Sequence, residues 1–167
     1  GELEFDGLSG LFTPYNNVYG AESIDFQLYD GISLSDIYQI VMIINGINDA
    51  PILNAISNQG MNEDGIFTYD LLATDVDDVD LSYSATVDGH ASVDVAGSTL
   101  TITPDLNYNG DIAVDVAVSD GVLTDSDSFT LIVNPVNDAP VLSDVPNQSI
   151  DEDGIFTYGL SATDVDD

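Results

Sequence analysis

Acidic side chains in this sequence are concentrated in short segments whose composition could do chemistry. Glu63 and Asp64 precede Gly65, and the segment 75–80 has Asp at four of its six positions. Asp and Asn also alternate with Leu and Tyr at 105–109. Calcium takes roughly six to eight oxygen ligands from carboxylates, amides and backbone carbonyls. These segments are therefore candidate sites for a hard divalent cation.

Paired carboxylates can also act as general acid and base, as they do in glycoside hydrolysis. The chain has a single histidine, His90, and no cysteine, lysine or arginine. Nucleophile–base pairs and oxyanion or phosphate clamps therefore have few candidates. Because the acidic segments recur along the chain, they suit a structural role better than one active site. The sequence predicts no enzyme activity.

The charge of the chain limits its partners. Asp and Glu total 31 and no Lys or Arg is present, which gives a formal charge of −31. Two carboxylates about 4 Å apart repel by roughly 1 kcal/mol in water and by several times more near a protein surface. Bound cations or high salt are needed to offset this repulsion. Nucleic acid and anionic membranes are excluded as partners, because no basic patch exists to neutralise phosphate.

The apolar content is that of a folded protein. Hydrophobic residues make up 44% of the chain, which is sufficient for ordinary cores. No disulfide can form, and domains in oxidising compartments can use bound metal instead. No apolar run approaches the roughly 20 residues that span a bilayer, so direct membrane insertion is not expected.

A long internal repeat organises the acidic segments. The segment 63–78 recurs at 152–167 with 14 of 16 positions identical, a displacement of 89 residues. The Asn-Asp-Ala-Pro run at 48–51 recurs at 137–140 with the same displacement. A displacement of this length is typical of an array of small domains.

The repeat predicts three units along the chain. Residues 1–47 form the C-terminal part of one repeat, 48–136 a complete repeat, and 137–167 the N-terminal part of the next. We expect each partial repeat to be completed by neighbouring chain or by another copy.

Within the complete repeat, apolar and polar residues alternate, which is the pattern of strands with one buried face. Ile112, Val114, Val116 and Val118 give the longest such run, and Asn109-Gly110 before it is a turn signal. Seven short strands in about 89 residues indicate an all-β, Ig-like or cadherin-like Greek-key sandwich. The predicted strands lie near 51–57, 65–72, 80–87, 91–96, 98–103, 111–119 and 127–134.

Five short motifs follow one another in a fixed order. They are Val136-Asn137-Asp138-Ala139-Pro140, Asn-Glu-Asp-Gly at 62–65, Ala-Thr-Asp-Val-Asp-Asp at 73–78, Asn-Tyr-Asn-Gly at 107–110 and Val-Ser-Asp-Gly at 118–121. In order and spacing they resemble the bacterial cadherin-like (tandem-95, VCBS-type) repeats of large surface adhesins. The resemblance covers essentially the whole chain and implies an extracellular location at a bacterial cell surface.

The resemblance also implies calcium between consecutive domains, as in cadherins. There the ligands come from a Glu before the second strand, an acidic motif before the sixth, the linker, and an Asp-x-Asp with a later Asp of the next domain. Carried over by position, the first junction would use Asn45, Asn48, Asp49, Asp75, Asp77 and Asp120, with Asn17 as an addition. The second junction would use Glu63, Asp105, Asn134, Asn137, Asp138, Asp164 and Asp166.

The chain departs from the cadherin pattern at several of these positions. Asn45 and Asn134 stand where cadherins have Asp at the start of the linker, and Tyr15 stands at the position of Asp105 in the earlier repeat. These differences remove negative charge, so they imply fewer or weaker ions at each junction.

Several interpretations stay open from the sequence. The first is a calcium-stiffened stalk of an adhesin, and the second is a head-to-tail filament in which half-repeats of different copies complete each other. The third is a carbohydrate-binding or enzyme-associated module, for which Tyr15, Tyr19 and Tyr108 are the loop aromatics. Asp and Asn are also common in turns without metal, and a salt-adapted surface would explain exposed acids such as Asp94.

Overall fold

The computed structural model describes residues 2–6 and 9–166, with side chains described for residues 10–166. Within these ranges the regular secondary structure consists of β-strands, and no helix that could cross a membrane is present. In chain order the strands are β1 (Glu2–Asp6), β2 (Ser9–Thr13), β3 (Gly20–Phe26), β4 (Tyr38–Ile44), β5 (Ile52–Leu53), β6 (Gln59–Asn62), β7 (Phe67–Asp70), β8 (Ala73–Thr74), β9 (Ser82–Val87), β10 (Ala91–Ala96), β11 (Thr99–Pro104), β12 (Gly110–Ser119), β13 (Thr124–Asn134), β14 (Val141–Leu142) and β15 (Ala162–Thr163).

Two main sheets form the complete repeat. One has the strand order β6-β13-β12-β9 and the other the order β10-β11-β7, while β5 pairs separately with β8. The longest pair is β12 with β13, which runs antiparallel from Gly110 opposite Val133 to Ser119 opposite Thr124. β6 runs parallel to the end of β13. This arrangement is an all-β, Ig-like sandwich, which confirms the predicted fold class.

The core of the sandwich is made by the alternating apolar residues. Ile112, Val114 and Val118 on β12 are fully buried, in one cluster with Leu100 and Ile102 on β11. Burial of each such side chain stabilises the fold by roughly 1.5–3 kcal/mol. The period of two in the sequence therefore predicted the buried face of β12 correctly.

The start of the complete repeat differs from the prediction of a strand at 51–57. Only β5 forms a strand there, because the hydrogen bonds that join this segment to β13 come from side chains and not from paired backbones. The backbone N–H of Leu53 donates to Asp125 Oδ2 (2.8 Å), and that of Ile56 donates to Asp127 Oδ2 (2.7 Å). The segment is thus fixed to β13 by carboxylates rather than by strand pairing.

The sequence pattern also fails to predict β6 and β8. β6 contains Gln, Gly and Asn around Met61 and lacks apolar alternation. It forms because its backbone pairs with β13, from Gln59 opposite Leu131 to Asn62 opposite Asn134. The predicted strand at 65–72 is shortened to β7, and β8 follows it as a separate strand that pairs with β5.

The terminal parts of the chain contain the same pairings as the complete repeat. β3 pairs antiparallel with β4, as β12 does with β13. In the β14–β15 pair Val141 lies opposite Thr163, and in the β5–β8 pair Ile52 lies opposite Thr74. β1 and β2 form a further antiparallel pair. The division of the chain into three repeat units stays a prediction from the sequence.

Candidate cation sites at the two linkers

Each of the two linkers, residues 45–51 and 134–140, donates an equivalent hydrogen bond to the acidic loop that follows it in the chain. The backbone N–H of Asp49 donates to Asp77 Oδ2 at 2.8 Å. At the second linker the backbone N–H of Asp138 donates to Asp166 Oδ2 at 2.5 Å. The predicted Asp-x-Asp segments therefore meet the predicted linker residues at both places.

A turn within each acidic loop fixes the carboxylates. Asp75 Oδ1 accepts hydrogen bonds from the backbone N–H groups of Asp77 (2.8 Å) and Asp78 (3.1 Å). Asp164 Oδ1 likewise accepts from the backbone N–H of Asp166 at 3.1 Å. Asp commonly stabilises turns in this way. One oxygen of Asp75 is thus used to shape the loop, and its other oxygen is available for a different role.

Two carboxylate oxygens in these sites are buried without a donor. Among the residues that the structure describes, Asp75 Oδ2 and Asp138 Oδ2 are closed off from solvent and accept no hydrogen bond. Leaving a buried acceptor unsatisfied costs about 1–3 kcal/mol, and more when the group is charged. A cation would remove this cost, so the oxygens present at the two linkers fit a hard divalent ion.

Glu63 connects β6 to the second linker. Its side chain is only 5% exposed, although it is a charged residue. Glu63 Oε1 accepts a hydrogen bond from the backbone N–H of Val136 at 2.6 Å, and its own N–H donates to the carbonyl of Asn134 at 2.9 Å. Buried carboxylates persist where they are hydrogen-bonded or bind metal.

Electrostatic repulsion is concentrated at Asp138. Burial raises the pKa of its carboxyl above the ordinary value, and the carboxylates of Asp166, Asp64, Glu63 and Asp164 raise this pKa further. All four neighbours are acidic, and the chain has no Lys or Arg to offset them. The second linker is therefore a place where positive charge would stabilise the protein.

Asp64 belongs to this group, although it is absent from the predicted ligands. It has a positive φ of 59°, a conformation that Asp and Asn adopt more readily than other side chains. Its Oδ1 accepts a hydrogen bond from the backbone N–H of Asn107 at 2.9 Å. The available signal was its recurrence next to a Glu at Asp153, where φ is 63°.

The structure brings Asn48 and Asp120 together at the first linker. Asn48 Nδ2 donates to Asp120 Oδ2 at 2.7 Å. This bond, followed by those from the backbone N–H groups of Leu123 and Val122, lowers the pKa of the Asp120 carboxyl below its ordinary value. Asp120 is thus held ionised between a linker and the turn after β12.

Three predicted residues of the second site have other contacts. Asp105 is exposed, and its backbone groups bind His90 and Tyr108; no described hydrogen bond joins its carboxylate to the linker. Asn134 Nδ2 donates to the carbonyl of Met61 at 2.9 Å, and Asn137 Nδ2 donates to the carbonyl of Asp138.

The carboxylates of both sites contact backbone N–H groups rather than one another. Within residues 10–166, whose side chains are described, no three acidic or histidine side chains converge closely enough to hold one ion together. Binding of a cation would therefore require Asp77, Glu63 and Asp166 to exchange a backbone N–H for the ion, whereas Asp75 Oδ2 and Asp138 Oδ2 have no donor to lose.

A cavity of about 560 Å³ opens beside the first linker. Asn45, Asp49 and Asp77 line it, together with Asn17 and Tyr15 from the loop between β2 and β3. The structure thus places the residues of the preceding loop, the linker and the acidic loop around one space. Tyr15 supplies an aromatic ring to this space.

The family of the chain follows from its fold and sequence together. Residues 48–134, which include β5 to β13, match the family described as Bacterial Ig domain, and the chain belongs to that family. Membership favours a non-catalytic module, in agreement with the prediction of no enzyme activity.

Comparison with curated proteins finds a relative within a larger enzyme. Chitinase A of Pseudoalteromonas piscicida is 33% identical over 141 residues, which are 82% of this chain and 16% of that protein. The chain therefore spans a small part of that relative's length.

Solved structures show only distant similarity. The first two domains of human protocadherin-24 are 13% identical, with a TM-score of 0.48 over 73% of this chain and 70% of that one. An endo-fucoidan hydrolase of glycoside hydrolase family 107 is 12% identical, with a TM-score of 0.41 over 81% of this chain and 22% of that one.

Proposed function

We propose that this chain is a calcium-stiffened spacer of an extracellular bacterial surface protein, in which cations at the linkers fix the angle between consecutive Ig-like repeats. The observation that carries the proposal is the pair of buried, donorless carboxylate oxygens, Asp75 Oδ2 at the first linker and Asp138 Oδ2 at the second. Both belong to acidic loops or linkers that recur along the chain.

The residues that would hold calcium belong to segments on both sides of each linker. At the second linker they are Asp138, Glu63, Asp164 and Asp166, with Asp64 beside them. At the first linker they are Asn45, Asn48, Asp49, Asp75, Asp77 and Asp120, with Asn17 across the cavity. Calcium supplies positive charge and accepts several oxygen ligands at once.

Stiffness follows from the charge of the linker. Without a cation, the repulsion that raises the pKa of Asp138 favours any movement that separates Asp138 from Asp166 and Glu63. A bound cation would neutralise these carboxylates, which removes their repulsion, and would connect the linker to the loops before and after it. A series of such linkers would hold a terminal domain at a fixed distance from the cell.

The test compares the full chain in calcium and in chelator, with magnesium at equal ionic strength as a control for screening. We expect calcium alone to raise the melting temperature and to narrow the distribution of dimensions in small-angle X-ray scattering. Extracellular modules typically bind calcium with dissociation constants in the range of about 0.1–1 mM. An unchanged melting temperature and an unchanged scattering profile in millimolar calcium would refute the proposal.

Asp138→Asn makes the test specific. Removing this charge relieves the repulsion at the second linker, so we expect a higher melting temperature in chelator and a smaller further increase with calcium. Asp94→Asn removes the same charge from an exposed position on β10 and serves as the matched control. Equal calcium responses of the two variants would contradict the assignment of Asp138.

A second candidate function is that of an accessory module in a polysaccharide-degrading enzyme, and the similarity to chitinase A favours it. Tyr15 and Tyr19 are 57% and 66% exposed beside the cavity at the first linker, where their rings could contact sugar. Retention of the chain on insoluble chitin, lost in Tyr19→Ala, would support this function. Absence of retention would leave the spacer as the preferred function.

A further inference from the structure

We infer that Asn45 is a self-modifying residue, which its own backbone converts to aspartate or isoaspartate. Asn45 and Gly46 directly follow β4 and begin the first linker, and both are exposed. The conversion replaces a neutral amide with a carboxylate at a position beside Asp49 and Asp77. It needs no enzyme, because the reacting groups are adjacent in the chain.

The reaction is a balanced substitution followed by hydrolysis. The backbone nitrogen of Gly46 attacks Cγ of Asn45 and forms a new C–N bond, while the bond from Cγ to the side-chain nitrogen breaks. Ammonia leaves with the proton from the Gly46 nitrogen, and a five-membered succinimide remains. Water then adds to one of the two carbonyl carbons of the ring, the bond from that carbon to the Gly46 nitrogen breaks, and the nitrogen takes a proton from the water. Breaking the bond at Cγ gives aspartate, and breaking the bond at the backbone carbonyl carbon of Asn45 gives isoaspartate.

The surroundings of Asn45 favour this attack. Glycine has no Cβ to block the approach of its nitrogen and allows a wide range of backbone conformations. Asn45 and Gly46 both line the cavity at the first linker, so water reaches the ring that forms. Neither residue belongs to a described strand.

The equivalent residue at the second linker lacks this chemistry. Asn134 stands 89 positions after Asn45 and is followed by Pro135, whose nitrogen carries no hydrogen. Its side-chain nitrogen is also held by the carbonyl of Met61 at 2.9 Å. The chain therefore contains a matched position that cannot form the succinimide.

The other Asn-Gly pair in the chain is constrained by its strand. Gly110 is the first residue of β12 and lies opposite Val133, with a φ of 141°. Strand pairing limits the rotation that would bring its nitrogen to Cγ of Asn109. We expect Asn45 to react faster than Asn109, and Asn134 not to react.

The first experiment follows deamidation in the full chain at mildly alkaline pH. Trypsin has no site in a chain without Lys or Arg, so peptic fragments are separated by mass spectrometry and isoaspartate is identified by enzymatic methylation. Gly46→Ala is the control: an added Cβ would meet the Tyr19 ring at 3.5 Å, an ordinary contact. We expect conversion at Asn45 and a large decrease in Gly46→Ala.

Two results would overturn the inference. In the first, Asn45 remains an amide in the folded chain while a free peptide of residues 41–50 converts. In the second, Asn109 converts in the folded chain before Asn45 does. The first result would mean that the fold protects Asn45 instead of exposing it, and the second that strand pairing of Gly110 does not restrain Asn109 as argued.

A consequence for the cation site rests on the proposed function. Additional carboxylate ligands strengthen calcium binding, so Asn45→Asp, which reproduces one product, should bind calcium several-fold more tightly at the first linker than the unmodified chain. Equal affinities would overturn this consequence and leave the modification standing. If neither protein binds calcium while Asn45 still converts, the proposed function fails and the modification remains.

Discussion

At the scale of single residues, the carboxylates of this protein are of two kinds. Some accept backbone hydrogen bonds and are stabilised as anions, as Asp120 is by Asn48 and the turn after β12. Others, such as Asp138, are half-buried among further acids, and folding disfavours their charge. The second kind is found at a linker, which is where a cation would have its largest effect on stability.

Glu63 provides the first prediction, because it is buried and holds a linker amide. Glu63→Ala leaves the backbone N–H of Val136 without its partner at 2.6 Å. We expect a loss of about 1–3 kcal/mol in the free energy of unfolding, measured by urea denaturation in chelator. Glu63→Gln keeps an acceptor oxygen and should lose less stability, while its response to calcium should still decrease.

A control for Glu63 is Asp94→Ala, an exposed acid on β10. This change should be nearly neutral in chelator and should leave the calcium response intact. Loss of stability of the same size in both variants would show that general charge, and not the contact with Val136, determines the effect.

At the scale of elements, hydrogen bonds between side chains and backbone N–H groups fix the start of the complete repeat to β13. Asp125 and Asp127 accept backbone N–H groups of Leu53 and Ile56, and Asn58 Oδ1 accepts the backbone N–H of Thr130 at 3.0 Å. These contacts satisfy donors that a regular strand would have paired. The acids on β13 are thus part of the fold and not only of a solvated surface.

The pH dependence of stability should reveal this role of Asp127. Hydrogen bonds from the backbone N–H of Ile56, and next from that of Ser128, lower the pKa of its carboxyl. A group whose pKa is lower in the folded state contributes stability above its unfolded pKa and loses it as pH falls through the folded value. Asp127→Asn should therefore lower stability at neutral pH and flatten the acid side of the stability curve.

Asp115→Asn is the comparison for that experiment, because it removes the same charge from an exposed position on β12. For this variant and the unmodified chain, the urea concentration at the midpoint of unfolding should decrease by the same amount as the pH is lowered from neutral to acid. A curve for Asp127→Asn that is also parallel would show that its hydrogen bonds contribute nothing to pH-dependent stability.

The packing between the sheets gives a prediction of larger magnitude. Phe129 on β13 is 4% exposed and contacts Phe67 and Tyr69 on β7, with ring centroids 6.3 and 6.5 Å apart. Phe129→Ala should cost about 3–5 kcal/mol in unfolding free energy. Phe156→Ala, at a residue that is 53% exposed, is the control. Similar losses for both changes would contradict the described core.

At the scale of the whole molecule, apolar surface and charge oppose each other. Ile40 on β4 occupies the position that Phe129 has in the complete repeat, but it is 52% exposed. The rings of Phe26 and Tyr38 stack with their centroids 6.0 Å apart, and Tyr38 is 57% exposed. Such a patch favours association. The formal charge of −31 opposes it at low ionic strength.

Salt should therefore promote self-association of the full chain. Screening shortens the range of repulsion to about 10 Å at 0.1 M salt, so sedimentation velocity should show larger species as salt increases. Ile40→Ser should reduce this effect, while Ile132→Ser, a 43% exposed residue on the outer side of β13, should not. Monomers at every salt concentration would exclude the head-to-tail filament considered from the sequence.

The sequence by itself determined the strand-rich fold, the buried face of β12, and the segments that carry the acidic groups. These are local properties, because the alternation of Ile112 to Val118 and the turn residues act within a few positions. The resemblance to cadherin-like repeats implied that Asp49 would lie with Asp77 and Asp138 with Asp166, and the role of these residues as cation ligands stays a prediction. Both contacts are present.

Only the tertiary structure decided which partner each carboxylate has. Asp127 binds Ile56 from 71 positions away, and Glu63 binds Val136 from 73 positions away. The charge of Asp64 acts on Asp138, whereas the described contacts of Asp105 are with His90 and Tyr108. Such contacts depend on how distant segments are placed by the sheets, and a period or a motif contains no information on that placement. The buried, donorless oxygens of Asp75 and Asp138 follow from the same placement.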